Sequence, residues 1–259
     1  MTTPSPTPRS IKRYGWIPDL PDPRDHIYAA PPAVVTALPP SVDLREGCPA
    51  VYDQGQLGSC TANAIAGAVE FDLLSQGLED FMPSRLFIYY NERVVEGTVQ
   101  SDSGAMIRDG IKTVAKQGVC TEDSWKYDIS QFAVEPSASC YHEACDNLVL
   151  SYQRVPQTLT ALKGCLANGF PVVFGFQVYA SFESQEVAKS GVVPLPTTGE
   201  QLLGGHAVLA VGYDDSTTQF LVRNSWGSGW GQDGYFTMPY PYLTESNLSS
   251  DFWTVLQVA

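Results

Sequence analysis

The apolar positions of this chain change period about halfway along it. Between Thr61 and Gln76, residues Ala64, Ile65, Ala68, Val69, Phe71 and Leu73 fall at helical spacing, and Gly77 stands where a helix stops. Residues 84–93 repeat the pattern after Pro83, with Ser84 placed as an N-cap. Gly104 to Gln117 carries Ile107, Ile111, Val114 and Ala115 on one helical stripe and ends at Gly118. A shorter helix is expected over Leu159 to Asn168. From Phe170 the apolar residues form short runs rich in Val, Phe and Tyr, which predict strands at 171–179, 206–213, 219–224, 234–238 and 255–258. Helices first and strands afterwards predict an α+β chain in two parts, a helical unit over 38–150 and a β-rich unit over 151–259. Residues 1–37 contain many prolines and few apolar runs, so they read as an extended leader with no core of its own.

The candidate chemistry sits at the junctions of these elements. The run Gln54-Gly55-Gln56-Leu57-Gly58-Ser59-Cys60 delivers a cysteine to a helix N-terminus through a glycine-rich turn. Unpaired N–H groups and the positive end of the helix dipole favour a thiolate there. A lone cysteine is more often a buried structural residue, but this one has candidate partners. Gly204-Gly205-His206 opens a predicted strand, and a polar turn at 214–219 leads into a second strand that ends at Asn224. Such a hairpin can bring His206 and Asn224 to one end of a sheet. The chain has only three histidines; His26 lies in the leader and His142 in a predicted helix, which leaves His206. Taken singly, Gln54 reads as a turn residue, Asn224 as a strand-end turn former, and Trp226 and Trp230 as packing residues.

Taken together, these runs and the stretch Asn224-Ser225-Trp226-Gly227-Ser228-Gly229-Trp230-Gly231-Gln232-Asp233-Gly234-Tyr235 resemble the papain-like cysteine peptidases, the papain family C1. The order Cys…His…Asn and its spacing agree with that family. Leu38-Pro39-Pro40-Ser41-Val42-Asp43-Leu44-Arg45 is similar to the start of a mature papain-like domain, and Tyr14 to Asp22 to the short N-terminal segment of bacterial members. The resemblance implies a two-lobed papain-like fold, a helical lobe and a barrel-like lobe with a cleft between them. It implies a cysteine endopeptidase that works through a thiolate–imidazolium pair and an acyl-enzyme and needs no cofactor or metal. Cys60 would be the nucleophile, His206 its acid–base partner and Asn224 the residue that orients the imidazole. Gln54 and the Cys60 N–H would form the oxyanion hole, and Trp226 would shield the His–Asn contact from water. Gly104 would pair with extended substrate, and Met106, Gly175, Gly204 and Gly205 would lie near the pocket for the second residue before the scissile bond. The leader, by the same resemblance far shorter than a usual propeptide, is expected to lie over the cleft and limit access; a plain flexible tail is the alternative. The chain also departs from the family: Leu57 and Thr61 stand where a disulfide cysteine and a Trp are usual, and Asp102-Ser103-Gly104-Ala105 replaces a Cys-x-Gly-Gly stretch.

Peptides or proteins are the partners that the resemblance implies, and composition bears on the others. A net charge of −13 disfavours nucleic acid and anionic membrane surfaces. No apolar run approaches the roughly 20 residues of a membrane helix, and the N-terminus shows no secretory signal. A cytoplasmic location, or export by a non-classical route, is expected. With Cys60 kept as a free nucleophile, an odd number of cysteines remains, which suits a reducing compartment. Cys140, His142 and Cys145 invite a metal reading, but their spacing on a helix favours ordinary helical residues. Two other readings share these residues: a catalytically silent peptide-binding module, which should have lost Cys60, His206 or Gln54, and an acyl transferase using the same triad.

Overall fold

A computed structural model describes residues 8–11 and 14–259. The elements in chain order are α1 (Pro32–Thr36), β1 (Ser41–Asp43), α2 (Cys60–Gln76), α3 (Arg85–Glu96), α4 (Ile107–Gln117), α5 (Ala138–Ala144), β2 (Val149–Arg154), α6 (Leu159–Ala167), β3 (Val172–Tyr179), α7 (Gln185–Ser190), β4 (Leu202–Asp214), β5 (Gln219–Arg223), β6 (Tyr235–Pro239), α8 (Tyr240–Thr244) and β7 (Ser249–Val258). The sheet runs β2-β7-β3-β4-β5-β6, every pair antiparallel, with β1 added at the far end of β4.

Alternation along the central strands sorts the apolar residues into two cores. Val173 of β3 and Ala207, Leu209 and Val211 of β4 face the helical lobe, where they meet α2, α3 and α4. Phe174, Phe176 and Val178 of β3, with Val208 and Ala210 of β4, face the other way into the β-rich lobe. Helix α2 is the hinge of this arrangement. Its residues from Cys60 to Leu73 are all buried, the polar Thr61, Asn63, Glu70 and Asp72 included. Gly77 closes it with φ 66°, in the left-handed region that glycine enters without strain. The Ser84 hydroxyl caps α3 by accepting from the Phe87 N–H.

Several expectations need correction. The third helix begins at Ile107 rather than Gly104, because Gly104 has φ 77° and Ala105 is held in an extended bridge with Trp16. The last strand reaches back to Ser249, through polar residues that hide its period. The short strands β1 and β2 show no clean alternation and were not anticipated. Among its described residues the leader has no helix besides α1, but it joins cores built by the rest of the chain: Ile11, Trp16 and Tyr28 are all buried. Ile65, fully buried at the centre of the helical core, gauges the packing. Ile65→Ala should lower unfolding stability by about 2–5 kcal/mol, read from the shift in the urea midpoint at constant slope.

Candidate active site

Cys60 is the first residue of α2 and His206 lies in β4, so the packing of that helix on that strand brings the two lobes together at this point. The N–H of Ala207, next to His206, points at the Cys60 sulfur, as do those of Thr61 and Gly15. His206 Nε2 lies 2.9 Å from Asn224 Oδ1. An amide oxygen can only accept, so Nε2 carries the proton and Nδ1 is left free to take one. The Ser225 N–H also donates to Asn224 Oδ1 at 2.9 Å, fixing the amide's orientation. Trp226 lies over the imidazole, ring centroids 5.3 Å apart, and Phe176 meets it edge-on at 5.7 Å.

Gln54 is 1% exposed and held from every side. Its backbone N–H donates to Ser225 O at 2.9 Å, and its carbonyl accepts from the Tyr127 hydroxyl at 2.9 Å. The Ser225 hydroxyl donates to Oε1 at 2.6 Å, while Nε2 donates to Leu57 O at 2.9 Å. The turn before Cys60 has a further anchor. The Gly58 N–H donates to both carboxylate oxygens of Asp102, at 3.0 and 3.1 Å. Asp102 accepts in turn from the Tyr89 hydroxyl at 2.5 Å, and that hydroxyl accepts from the Gly104 N–H at 3.1 Å. A carboxylate and a tyrosine hydroxyl thus tie this turn to Gly104. All six cysteines are free thiols. Thr61 donates to Glu92 Oε2 at 2.8 Å, in a site where burial pushes the carboxyl well above its usual range.

The leader crosses this site. Arg9 pairs with Asp53 at 2.7 Å and donates to Gly55 O at 2.5 Å. The Tyr14 hydroxyl donates to Glu183 Oε1 at 2.6 Å, with its ring edge-on to His206 at 6.0 Å. Gly15 passes so close to Gly58 that an added Cβ would lie 1.8 Å from Gly58 O. Its carbonyl accepts from the Ala105 N–H at 2.8 Å, and Trp16 N–H donates to Gly205 O at 2.9 Å. The Trp16 ring lies against Gly175 and Gly205, Tyr14 against Gly204, and the Gly15 backbone against Gly104. Met106 precedes α4, its N–H on Glu96 Oε1 at 2.7 Å. Further along, Asp25 forms buried ion pairs with Arg108 at 2.5 Å and Arg154 at 3.2 Å.

Under this cover Cys60 is 0% and His206 1% exposed. Burial pushes the Cys60 thiol up to about 12, only partly offset by the N–H groups aimed at it. It pushes the His206 imidazole down to about 4, against the pull of Asn224. Burial in a low dielectric thus disfavours the charged form of each group. Sequence patterning did not single out Ser225, Tyr127, Glu183 or Asp251 for the site. Ser225 belongs to the quoted Asn-Ser-Trp-Gly run; the others carry no local signal. Cys140 and His142 lie on α5 with Cys145 at its end, and no group of three or more His, Cys, Asp or Glu placed to hold a metal occurs among the described residues. Nor is any helix among them long and apolar enough to cross a membrane.

Comparison with known proteins points one way. Residues 38–252 match the family model described as papain family cysteine protease. An uncharacterized peptidase C1-like protein, L477, of Acanthamoeba polyphaga mimivirus is 51% identical over 215 residues, 80% of this chain and 69% of that protein. The cysteine endopeptidase RepA of Oryza sativa subsp. japonica is 31% identical over 81% of this chain and 54% of its own length. Among solved structures, xylellain, a cysteine protease from Xylella fastidiosa, superposes with a TM-score of 0.89 at 47% identity, covering 97% of this chain and 100% of that one.

Two buried groups make the cover sensitive to pH in opposite directions. His206 is lowered to about 4 from an ordinary value of about 6.5. The uncovered state therefore binds the extra proton, and cover is lost as pH falls through that window. Burial and the neighbouring Asp251 raise Asp19 to about 6, so the covered state binds the extra proton and gains as pH falls from about 6 to 4. Asp19→Asn removes the second effect and leaves His206 in place. Its Cys60 should react with 2,2′-dithiodipyridine progressively faster than that of the unaltered chain as pH falls from 6 to 4; parallel pH profiles would contradict this assignment.

Proposed function

Because this chain belongs to the papain family of cysteine proteases, and is thus a cysteine peptidase acting on peptides or proteins, we propose that it is an endopeptidase with Cys60 as nucleophile, held back by its own leader. The observation that carries this reading is the convergence of Cys60, His206, Asn224 and Gln54 at one point beneath residues 14–16.

Release of the leader returns water to the cleft and removes the burial that disfavours the charged form of each group. The Cys60 proton then passes to His206 Nδ1, with Nε2–H on Asn224, and the thiolate is stabilised at the α2 N-terminus by the Thr61 and Ala207 N–H groups. The thiolate attacks the substrate carbonyl carbon. Gln54 Nε2 has one N–H on Leu57 O and a second for the developing oxyanion, which the Cys60 N–H joins. Ser225 holds Gln54 in the flip that aims nitrogen, not oxygen, at that position. His206 gives its proton to the leaving amine and then activates water against the acyl-enzyme. Met106, Gly204, Gly205 and Gly175 border the substrate, with Gly104 and Ala105 pairing its backbone. Trp226 shields the His206–Asn224 contact.

The leader meets the site through Gly15, whose carbonyl accepts from the Ala105 N–H and whose backbone lies against Gly58.

Turnover of a fluorogenic peptide should vanish in Cys60→Ala. It should fall about 10²–10³-fold in kcat in Gln54→Ala, the loss expected for one oxyanion donor. Trp16→Ala, which empties the slot that anchors the leader, should raise turnover by the full-length chain. Activity that survives Cys60→Ala would overturn the assignment of the nucleophile, and unchanged turnover in Trp16→Ala would overturn that of the leader.

A further inference from the structure

Glu92 is a carboxylic acid sealed inside the helical lobe, 0% exposed. It stands on α3 and reaches the first turn of α2, where its Oε2 accepts from the Thr61 hydroxyl at 2.8 Å. Its Oε1 is buried with no hydrogen-bond partner. Such oxygens are few in folded proteins, and each calls for a reason. Helix α4 makes room for this one. A Cβ on Gly110 would lie 2.2 Å from Oε1 and 2.4 Å from Ile65 Cδ1. A glycine inside a helix lowers stability relative to alanine, and so does a buried acid with an unmet oxygen. Both penalties fall behind one residue, the neighbour of Cys60. Local rules broken together at one place mark a working position. One turn earlier on α3, the Tyr89 hydroxyl donates to Asp102, the carboxylate that holds the Gly58 N–H. Helix α3 thus backs the chain on both sides of Cys60.

Resting on the reading of Cys60 as nucleophile, we propose that Glu92 is a positioning residue, holding Thr61 by its hydroxyl so that the Thr61 N–H stays aimed at the Cys60 sulfur. That N–H belongs to the first turn of α2, whose donors have no partner within the helix. Their direction must therefore be fixed from outside, and Glu92 supplies the only side-chain acceptor that Thr61 Oγ1 is given. Glu92 does this as a neutral acid. Burial, Glu96 on its own helix and Asp109 on α4 favour its protonated form, against Thr61 and Arg93. A carboxylate there would place a like charge behind the thiolate and oppose it. A protonated acid offers Thr61 an acceptor without that charge.

The test follows alkylation of Cys60 by iodoacetamide against pH, read from the mass of the peptide that carries it. All chains are full-length and bear Trp16→Ala, so leader opening is common to them and cancels from the comparison. Glu92→Gln, uncharged and still an acceptor, should leave the midpoint and the rate at pH 7 unchanged. Glu92→Ala should move the midpoint up and lower the rate at pH 7 about three- to tenfold, the effect of one hydrogen bond. Thr61→Val should do the same, and the double variant no more than either alone. A midpoint that falls in Glu92→Gln reveals a carboxylate opposing the thiolate, and overturns the neutral-acid role. Midpoints unmoved in both Glu92→Ala and Thr61→Val overturn the positioning role. Should Glu92→Ala fail to fold, Thr61→Val and Glu92→Gln still decide it. Peptide turnover is followed in parallel. If no variant cleaves peptide, the peptidase reading fails separately, and the alkylation profiles still decide the role of Glu92.

Discussion

The seating of α2 against β4 is the constraint on which the rest of this molecule depends. One helix, buried along nearly its whole length, presents its first residue to one strand of the sheet. The Ala207 N–H reaches the Cys60 sulfur across that contact. A helix start and a strand start come from opposite lobes, so neither lobe alone forms the site. The side chains are then fixed from behind: Asn224 by Ser225 N–H, Gln54 by Ser225 Oγ and Tyr127. Position is set by packing and orientation by hydrogen bonds. The two are supplied by different residues.

The leader shows how a segment without a core can still be ordered. It borrows apolar surface from both lobes through Ile11, Trp16 and Tyr28. It adds charge where the body is basic, with Asp25 between Arg108 and Arg154. Buried pairs of this kind stabilise little in net terms but are badly upset when one partner is lost. The leader and the Arg108–Arg154 face are thus fitted to one another more strictly than their contact area alone would require.

Much of this was legible in the sequence because the signals were local. The α2 stripe with its terminal Gly77, the Ser84 cap and the Asn-Ser-Trp-Gly run each specify a short stretch by themselves. The α+β order followed from the change of period near Phe170. What escaped was non-local. Gly104 sits at φ 77° because the leader backbone pairs with Ala105, so the helix start moved by three residues. β2 has one buried residue and mixed exposure after it, and so no period to detect. Asp251 reads as one more polar residue before an aromatic run; only the fold places it at the Trp16 indole nitrogen. The burial of Cys60 and His206 likewise depends on residues 14–16 lying above them, which no spacing rule encodes.

The carboxylate of Asp102 on the Gly58 N–H has a consequence for the conditions in which this chain can work. A thiol nucleophile must be kept reduced, and the reductant that protects it also attacks any strained or exposed disulfide nearby. A covalent sulfur tie on the turn before Cys60 would place those two demands in conflict. Here the turn is held by a charge-assisted hydrogen bond and a tyrosine hydroxyl, neither of which exchanges electrons. Redox poise can therefore vary over the full range that preserves the thiol without loosening the loop that aims it.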